Sequence, residues 1–258
     1  ITCDVKSLNS QTHRVQFYFD ASGELATNTP DQQVIGTQQT LDNALALQIG
    51  TVSQQVLGKQ GDDLRIDWGY LYVAVPKAFQ PHTSVSSPDG LRNGFINGSE
   101  VAPQPSGNSA VASEVAVGAW MDLGNVATDA VSRYVVVAYD DLYSIEYMRT
   151  KLRPYWRKDG WEAANLLEAA VAEYESLMSR CQQFDSQLMA DLEQQGGAEY
   201  ARIAALAYRQ CFAAGKFVAD ANGQPLQFCK ENHSNGCIAT SDVFYPMSPQ
   251  FLLLSPTL

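Results

Sequence analysis

The sequence predicts an α+β protein, an antiparallel β-sandwich region followed by an α-helical region, and two observations carry that prediction. Through most of residues 1–138 apolar residues alternate with polar ones, the period of strands with one face buried. From residue 161 the apolar spacing becomes three and four, the period of an amphipathic helix. The expected division is therefore a β-sandwich-like region over 1–138 and a helical hairpin region over 139–258.

Residues 12–20 read as a half-buried strand, since Val15, Phe17 and Phe19 alternate with Gln16 and Tyr18. A turn at 21–24 and a loop at 29–32 follow. Leu45, Leu47 and Ile49 alternate again, and Gly58 and Gly61 mark the next turn. Residues 68–75 form the strongest strand: Trp68, Tyr70 and Tyr72 line one face, and Leu71, Val73 and Val75 the other. With both faces covered, it suits an inner strand. Over 76–105 the composition shifts to Pro, Ser, Gly and Asn, which reads as a long surface excursion with short structure around 90–96. Strands resume at 113–121 and 132–138.

Residues 138–156 join the two halves. Asp140 and Asp141 follow the apolar run 134–138, and Leu142, Ile145, Met148 and Leu152 then recur at helical spacing. The expectation is a helix that Asp140 caps and Pro154 ends. One carboxylate is enough for a cap. The second, with Tyr143, Glu146, Arg153, Tyr155 and Trp156 nearby, makes a polar and aromatic concentration of the kind found at pockets. Capping and function both stay open for the acidic pair.

Beyond Gly160, Leu167, Val171, Tyr174, Met178, Cys181, Phe184, Leu188 and Leu192 predict one long helix, closed by Gly196-Gly197. Tyr200, Ile203, Ala207, Cys211 and Ala214 predict a second helix antiparallel to it. Cys181 and Cys211 are equidistant from Gly196, so both are expected on the seam, about 22 Å from the turn. Helix axes about 8–10 Å apart favour two buried thiols there over a disulfide. Residues 220–225 read as a turn, with most of the EF-hand calcium pattern missing.

The totals exclude several classes. Against 17 Lys and Arg stand 28 Asp and Glu, a net charge of −11, which argues against nucleic acid or an anionic membrane as partner. The densest apolar run, 251–254, is too short to span a bilayer. Five cysteines form no CxxC pair, and three histidines lie scattered, so no metal site is expected. No Gly-x-Ser-x-Gly elbow occurs. Ile1 opens directly into strand-like sequence, so the chain is expected to be a mature or excised piece.

Five stretches carry a family resemblance: Gly61-Asp-Asp-Leu-Arg-Ile-Asp-Trp-Gly-Tyr-Leu-Tyr72, Ala138-Tyr-Asp-Asp-Leu-Tyr-Ser-Ile-Glu-Tyr147, Leu152-Arg-Pro-Tyr-Trp156, Tyr208-Arg-Gln210 and Lys230-Glu-Asn-His-Ser-Asn-Gly-Cys-Ile-Ala-Thr-Ser-Asp-Val-Phe-Tyr-Pro246. Together they resemble the secreted glutaminase A family. The resemblance implies a β-sandwich region leading into a six-hairpin α/α toroid, and a secreted or periplasmic location. It also implies hydrolysis of the side-chain amide of L-glutamine, with no cofactor called for. Chains of that family are several times longer, so this one resembles a central fragment with one or two of the hairpins. Self-association, or pairing with the missing parts, is therefore expected at its open edges.

The stretch 228–246 is the second candidate for chemistry, read as loop-like after the hairpin. Asp141, Asp242 and Glu231 are the candidate catalytic carboxylates, since two such groups can act as general acid and base on an amide or a glycosidic bond. Asp140, Tyr143, Arg153, Tyr155, Trp156, Lys230 and Asn235 are the candidate substrate-binding residues for a small molecule. Against this stand plainer readings: Asp242 as a helix or turn cap, Glu231 paired with a cation, and Asn235-Gly236 as a tight turn. A carbohydrate-active six-hairpin enzyme with an aromatic platform is the alternative activity, and a non-catalytic binding module the alternative class.

Overall fold

The computed structural model describes residues 1–101, 107–213, 215–230, 236–238 and 240–254. The chain divides into two compact units. The first contains Ile1–Val56, Arg65–Leu142 and Glu162–Ala172, and the second Leu57–Leu64, Tyr143–Trp161 and Glu173–Leu258.

The first unit holds ten strands and two helices among its described residues. In chain order these are β1 (Thr2–Val5), β2 (His13–Ser22), β3 (Gln33–Thr40), β4 (Ala44–Thr51), β5 (Tyr70–Pro76), β6 (His82–Ser86), α1 (Pro88–Asn97), β7 (Ser109–Val111), β8 (Ala116–Val126), β9 (Val131–Tyr134), β10 (Val136–Asp140) and α2 (Ala163–Ala172). Five strands pair antiparallel in the order β10-β5-β4-β3-β7, three more as β2-β8-β6, and β1 pairs with β9. Leu47, Ile49, Leu71 and Val73 of the five-stranded sheet share one apolar core with Ala21, Val85 and Val117 of the three-stranded sheet. The other face of β4 and β5, carrying Ala46, Tyr72 and Ala74, is covered by Ala163 and Leu167 of α2. Both faces of β5 are thus covered, as its two apolar rows predict, but a helix rather than a second sheet covers the aromatic row.

The segment 76–105 is less of an excursion than its composition suggests. It supplies β6, whose Ser84 and Val85 are buried, and α1, which Ser87 caps through a 3.2 Å bond from the Gly90 N–H. Leu91 of α1 is fully buried with Trp120 and Ala116. Residues 102–106 lie outside the described residues.

In the second unit the chain forms β11 (Ile145–Tyr147), β12 (Thr150–Leu152), a helical run α3 (Tyr174–Ala213), β13 (Gly215–Ala219), β14 (Pro225–Cys229) and α4 (Ser241–Leu254). The helix expected over 142–152 is corrected to a hairpin. β11 and β12 pair directly, with Met148 and Arg149 both at positive φ (48° and 65°) as a two-residue turn of this hand requires. Ile145 stands opposite Leu152, and both are buried against Val218 and Phe228. The helical spacing of these residues was real, but burial on one face of a hairpin uses the same pair.

The long helix is also corrected. It breaks at Glu173: α2 belongs to the first unit, where Glu168 accepts from the Asp42 N–H (2.8 Å) and its carbonyl from Asn43 (2.9 Å). The reversal expected at Gly196-Gly197 is present, because Gly197 has φ 80° and ψ 175° inside α3. The two arms run antiparallel: Phe184 and Tyr208, each twelve residues from Gly196, meet in a tilted ring contact with centroids 5.7 Å apart. Cys181 nevertheless is exposed, so it is not buried on the seam.

Residues 220–225 turn between β13 and β14, with Asp220 Oδ1 accepting from the N–H of Asn222 and Gln224, each at 2.8 Å. Of the stretch 228–246, read as loop-like, residues 228–229 end β14 and 241–246 open α4, while 231–235 and 239 lie outside the described residues. Pro249 within α4 cannot bond the Tyr245 carbonyl, and the Ser248 hydroxyl takes that acceptor instead at 2.8 Å.

Candidate functional site

The first unit brings the Asp140-Asp141 pair together with residues 65–72 of the first quoted motif. β10 pairs with β5 so that Asp140 lies opposite Tyr70, which sets the chain after β10 beside the chain before β5. The Trp68 indole N–H donates to the Asp141 carbonyl at 2.7 Å, and the Tyr139 hydroxyl donates to the Trp68 carbonyl at 2.8 Å. Gly69, at φ 78°, allows this approach: a Cβ there would collide with the Asp140 carbonyl oxygen.

Three carboxylates are buried in this region. Asp67, Asp140 and Asp141 are 3%, 2% and 4% exposed, rare for Asp without partners. Gln32 donates to Asp67 Oδ2 at 3.0 Å, and the Thr51 hydroxyl to the Asp67 carbonyl at 2.6 Å. Asp140 Oδ1 accepts from the Leu142 N–H at 3.0 Å, with Leu142 itself at φ 58°. Asp140 therefore holds a turn, not a helix start. Burial pushes the Tyr139 phenol well above its ordinary range, and the negative charges of Asp141, Asp67 and Asp140 add to that push. Tyr139 is thus a neutral hydrogen-bond donor at ordinary pH.

The second unit contains the aromatic and cationic candidates. The Arg153 guanidinium lies 5.2 Å over the Tyr143 ring, Arg157 lies 4.6 Å over Trp156, and Lys158 lies 5.2 Å over Tyr155. Tyr155 also packs on Phe217 at 4.5 Å. Arg157 is buried and donates to the Trp161 carbonyl at 3.2 Å. Half-buried Lys230 bridges to Ile238, and its ammonium is held below the ordinary lysine range by desolvation and then by Lys216.

The candidates thus fall in three places. Asp140 and Asp141 share the buried acidic region with Asp67. Tyr143, Arg153, Tyr155, Trp156 and Lys230 belong to the second unit, as does Asp242, which is exposed in the first turn of α4. Glu231 and Asn235 lie outside the described residues. Among the described residues no group of three or more His, Cys, Asp or Glu is placed to hold a metal ion.

Sequence reasoning passed over Asp67, Trp68 and Tyr139 as site residues. The signal was available, since Asp67 and Trp68 sit in a quoted motif, but nothing local ties them to Asp141 across 73 residues of chain. The second unit also has an apolar cavity of about 250 Å³, lined by Tyr147, Leu226, Gln227, Phe228, Phe244 and Phe251. It contains none of the predicted site residues.

Two family profiles match the chain. One, described as a domain of unknown function (DUF5127), covers residues 1–191, and the other, the glutaminase A six helical-hairpin domain, covers residues 197–258. The second profile starts at the glycine where α3 reverses. "Glutaminase A" of Aspergillus oryzae is 28% identical over 263 residues, covering 99% of this chain and 38% of that protein. A protein of Arthroderma benhamiae described as a probable glutaminase is 29% identical over 107 residues, 42% of this chain and 12% of its own length. The chain thus spans well under half the length of these relatives.

Proposed function

We propose that this chain, which belongs to the glutaminase A family, is part of a hydrolase that converts L-glutamine to glutamate and ammonia. The observation that carries the reading is its similarity to Aspergillus oryzae Glutaminase A along 99% of its length. On this reading one carboxylate takes a proton from the attacking water, and another gives one to the departing ammonia. Asp141, Asp242 and Glu231 are the carboxylates assigned to those steps. Arg153 and Lys230 are cations suited to the substrate carboxylate. Tyr143, Tyr155, Trp156, Asn235 and Asp140 are assigned to shaping the site around the substrate.

The protein on this reading works outside the cytoplasm, secreted or periplasmic, and its helical hairpins pack against further hairpins of a toroid. The glycan alternative draws less support. Tyr143, Tyr155 and Trp156 each carry a cation over one ring face, a face no longer open to a sugar ring.

The test uses a protein that includes this chain and a complete six-hairpin domain. Ammonia released from glutamine supports the reading; reducing ends released from oligosaccharides, without ammonia, would favour the glycosidase. In the active protein Asp141→Asn and Asp242→Asn should each lower turnover by more than about a hundredfold, with the melting temperature barely moved. Normal turnover in both variants removes the assignment.

A further inference from the structure

The five cysteines carry no disulfide in this structure, yet two of them share one cluster. Cys229, at the end of β14, is fully buried with Met247 and Phe251 of α4, and Cys211, near the end of α3, packs against that same cluster. The register explains the proximity. Cys229 stands directly opposite Gly215, the first residue of β13, and Cys211 precedes Gly215 by only four residues. α3 ends at Ala213 and β13 begins at Gly215, so the last helical turn lies close along the chain to the strand that pairs with the one carrying Cys229. Cys211 is also close enough to act electrostatically on the Cys229 thiol, and a disulfide between them requires Cα atoms about 4.4–6.8 Å apart.

We propose that Cys211 and Cys229 are a disulfide site, oxidised by exchange with a small-molecule disulfide such as glutathione disulfide. The bond ties the end of the α3 hairpin to the β13–β14 hairpin. Half-buried Cys211 is the entry point: its thiolate attacks the glutathione disulfide, forming a mixed disulfide and releasing one glutathione thiolate. The Cys229 thiolate then attacks the Cys211 sulfur and displaces the second glutathione. The protein loses two protons and two electrons, and one glutathione disulfide takes them up to become two glutathione thiols. Burial raises both thiols, and the neighbouring Cys211 raises Cys229 further. The exchange should therefore be slow near neutrality and accelerate as pH rises. Cys3, Cys181 and Cys237 are outside this cluster. The inference is independent of the substrate.

The sequence makes the test unambiguous, because cleavage after Lys and Arg leaves every cysteine on its own peptide. Cys211 falls on 210–216, Cys229 on 217–230, and the others on 1–6, 181–202 and 231–258. The purified chain is incubated with glutathione disulfide at pH 8.5, quenched in acid, alkylated, digested and weighed. The expected product is 210–216 joined to 217–230, two hydrogens lighter than their sum, with the other three cysteines alkylated. The oxidised chain should melt several degrees above the reduced one, and Cys211→Ser should abolish both the linked peptide and that difference. Alkylated Cys211 and Cys229 after oxidation, a link to 181–202 or 231–258 instead, or a link that leaves the melting temperature unchanged would each overturn the proposal.

Discussion

In the first unit Leu47, Ile49, Leu71, Val73 and Val117 are at most 4% exposed, while in the second Ile203, Leu206, Leu252 and Leu253 stand between 56% and 80% exposed. The difference follows from how each kind of element buries itself. A strand in an antiparallel sheet has neighbours on both edges, and a second layer covers each face, so β5 is enclosed by β4, β10, the shared core and α2. A helical hairpin covers only the stripe where its arms meet. On the second arm of α3 that leaves Tyr200, Ile203 and Leu206 facing out at spacing of three. That exposed apolar stripe is what motivates the proposal that further hairpins pack against this one.

Core truncation tests this contrast most strongly. Leu47→Ala in the first unit should cost about 2–5 kcal/mol in urea unfolding, the range for a fully buried leucine. Ile203→Ala in the second should cost less than about 0.5 kcal/mol, as at an ordinary surface position. Equal losses would mean that the helical arm is enclosed after all.

The two units' left-handed glycines should differ next. Gly69→Ala combines positive φ with a clash against the Asp140 carbonyl, whereas a Cβ on Gly197 meets nothing within 4 Å. Gly197→Ala should cost about 1–2 kcal/mol from the backbone alone, and Gly69→Ala measurably more by the same unfolding assay. Below that comes Asp140→Ala, which leaves the Leu142 N–H without its acceptor, at about 1 kcal/mol.

The pH dependence of the units should run in opposite directions. Tyr139 has a folded pKa above the ordinary 10.0, so its contribution is present below about pH 10 and is lost as pH rises beyond it. Lys230 has a folded pKa below the ordinary 10.5, so the unfolded chain binds more protons in the window beneath 10.5 and stability rises with pH there. Urea midpoints measured from pH 8.5 to 11 should show Tyr139→Phe flattening the alkaline loss and Lys230→Met removing the rise. The smallest effect on stability is expected from Ile203→Ser with Leu206→Ser. Its readout is light scattering, where the parent chain should self-associate at high concentration and the double variant less so.

Where neighbours along the chain decide the conformation, the sequence was enough. Alternation in β2 and β4, the two apolar rows of β5, and the Gly196-Gly197 reversal are local patterns, and the structure carries each of them. The antiparallel sense of the α3 arms was legible, as the Phe184–Tyr208 contact bears out, but which residues face the seam was not, since Cys181 is exposed. Residues 142–152 show the limit. Leu142, Ile145, Met148 and Leu152 fit a helix as well as a hairpin, and burial of Ile145 and Leu152 against Val218 and Phe228, far along the chain, accompanies the hairpin. The break at Glu173 has the same origin, since Ala163 and Leu167 cover one face of the first unit's sheet while the helix beyond lies in the other unit. The acidic region is the clearest case. The sequence supplied Asp67, Asp140 and Asp141 as residues, but only the β5–β10 pairing and the bare Cα of Gly69 allow their backbones to approach so closely. Helical and strand periods are properties of neighbours a few residues apart, and such approaches depend on pairs of segments that have no common period.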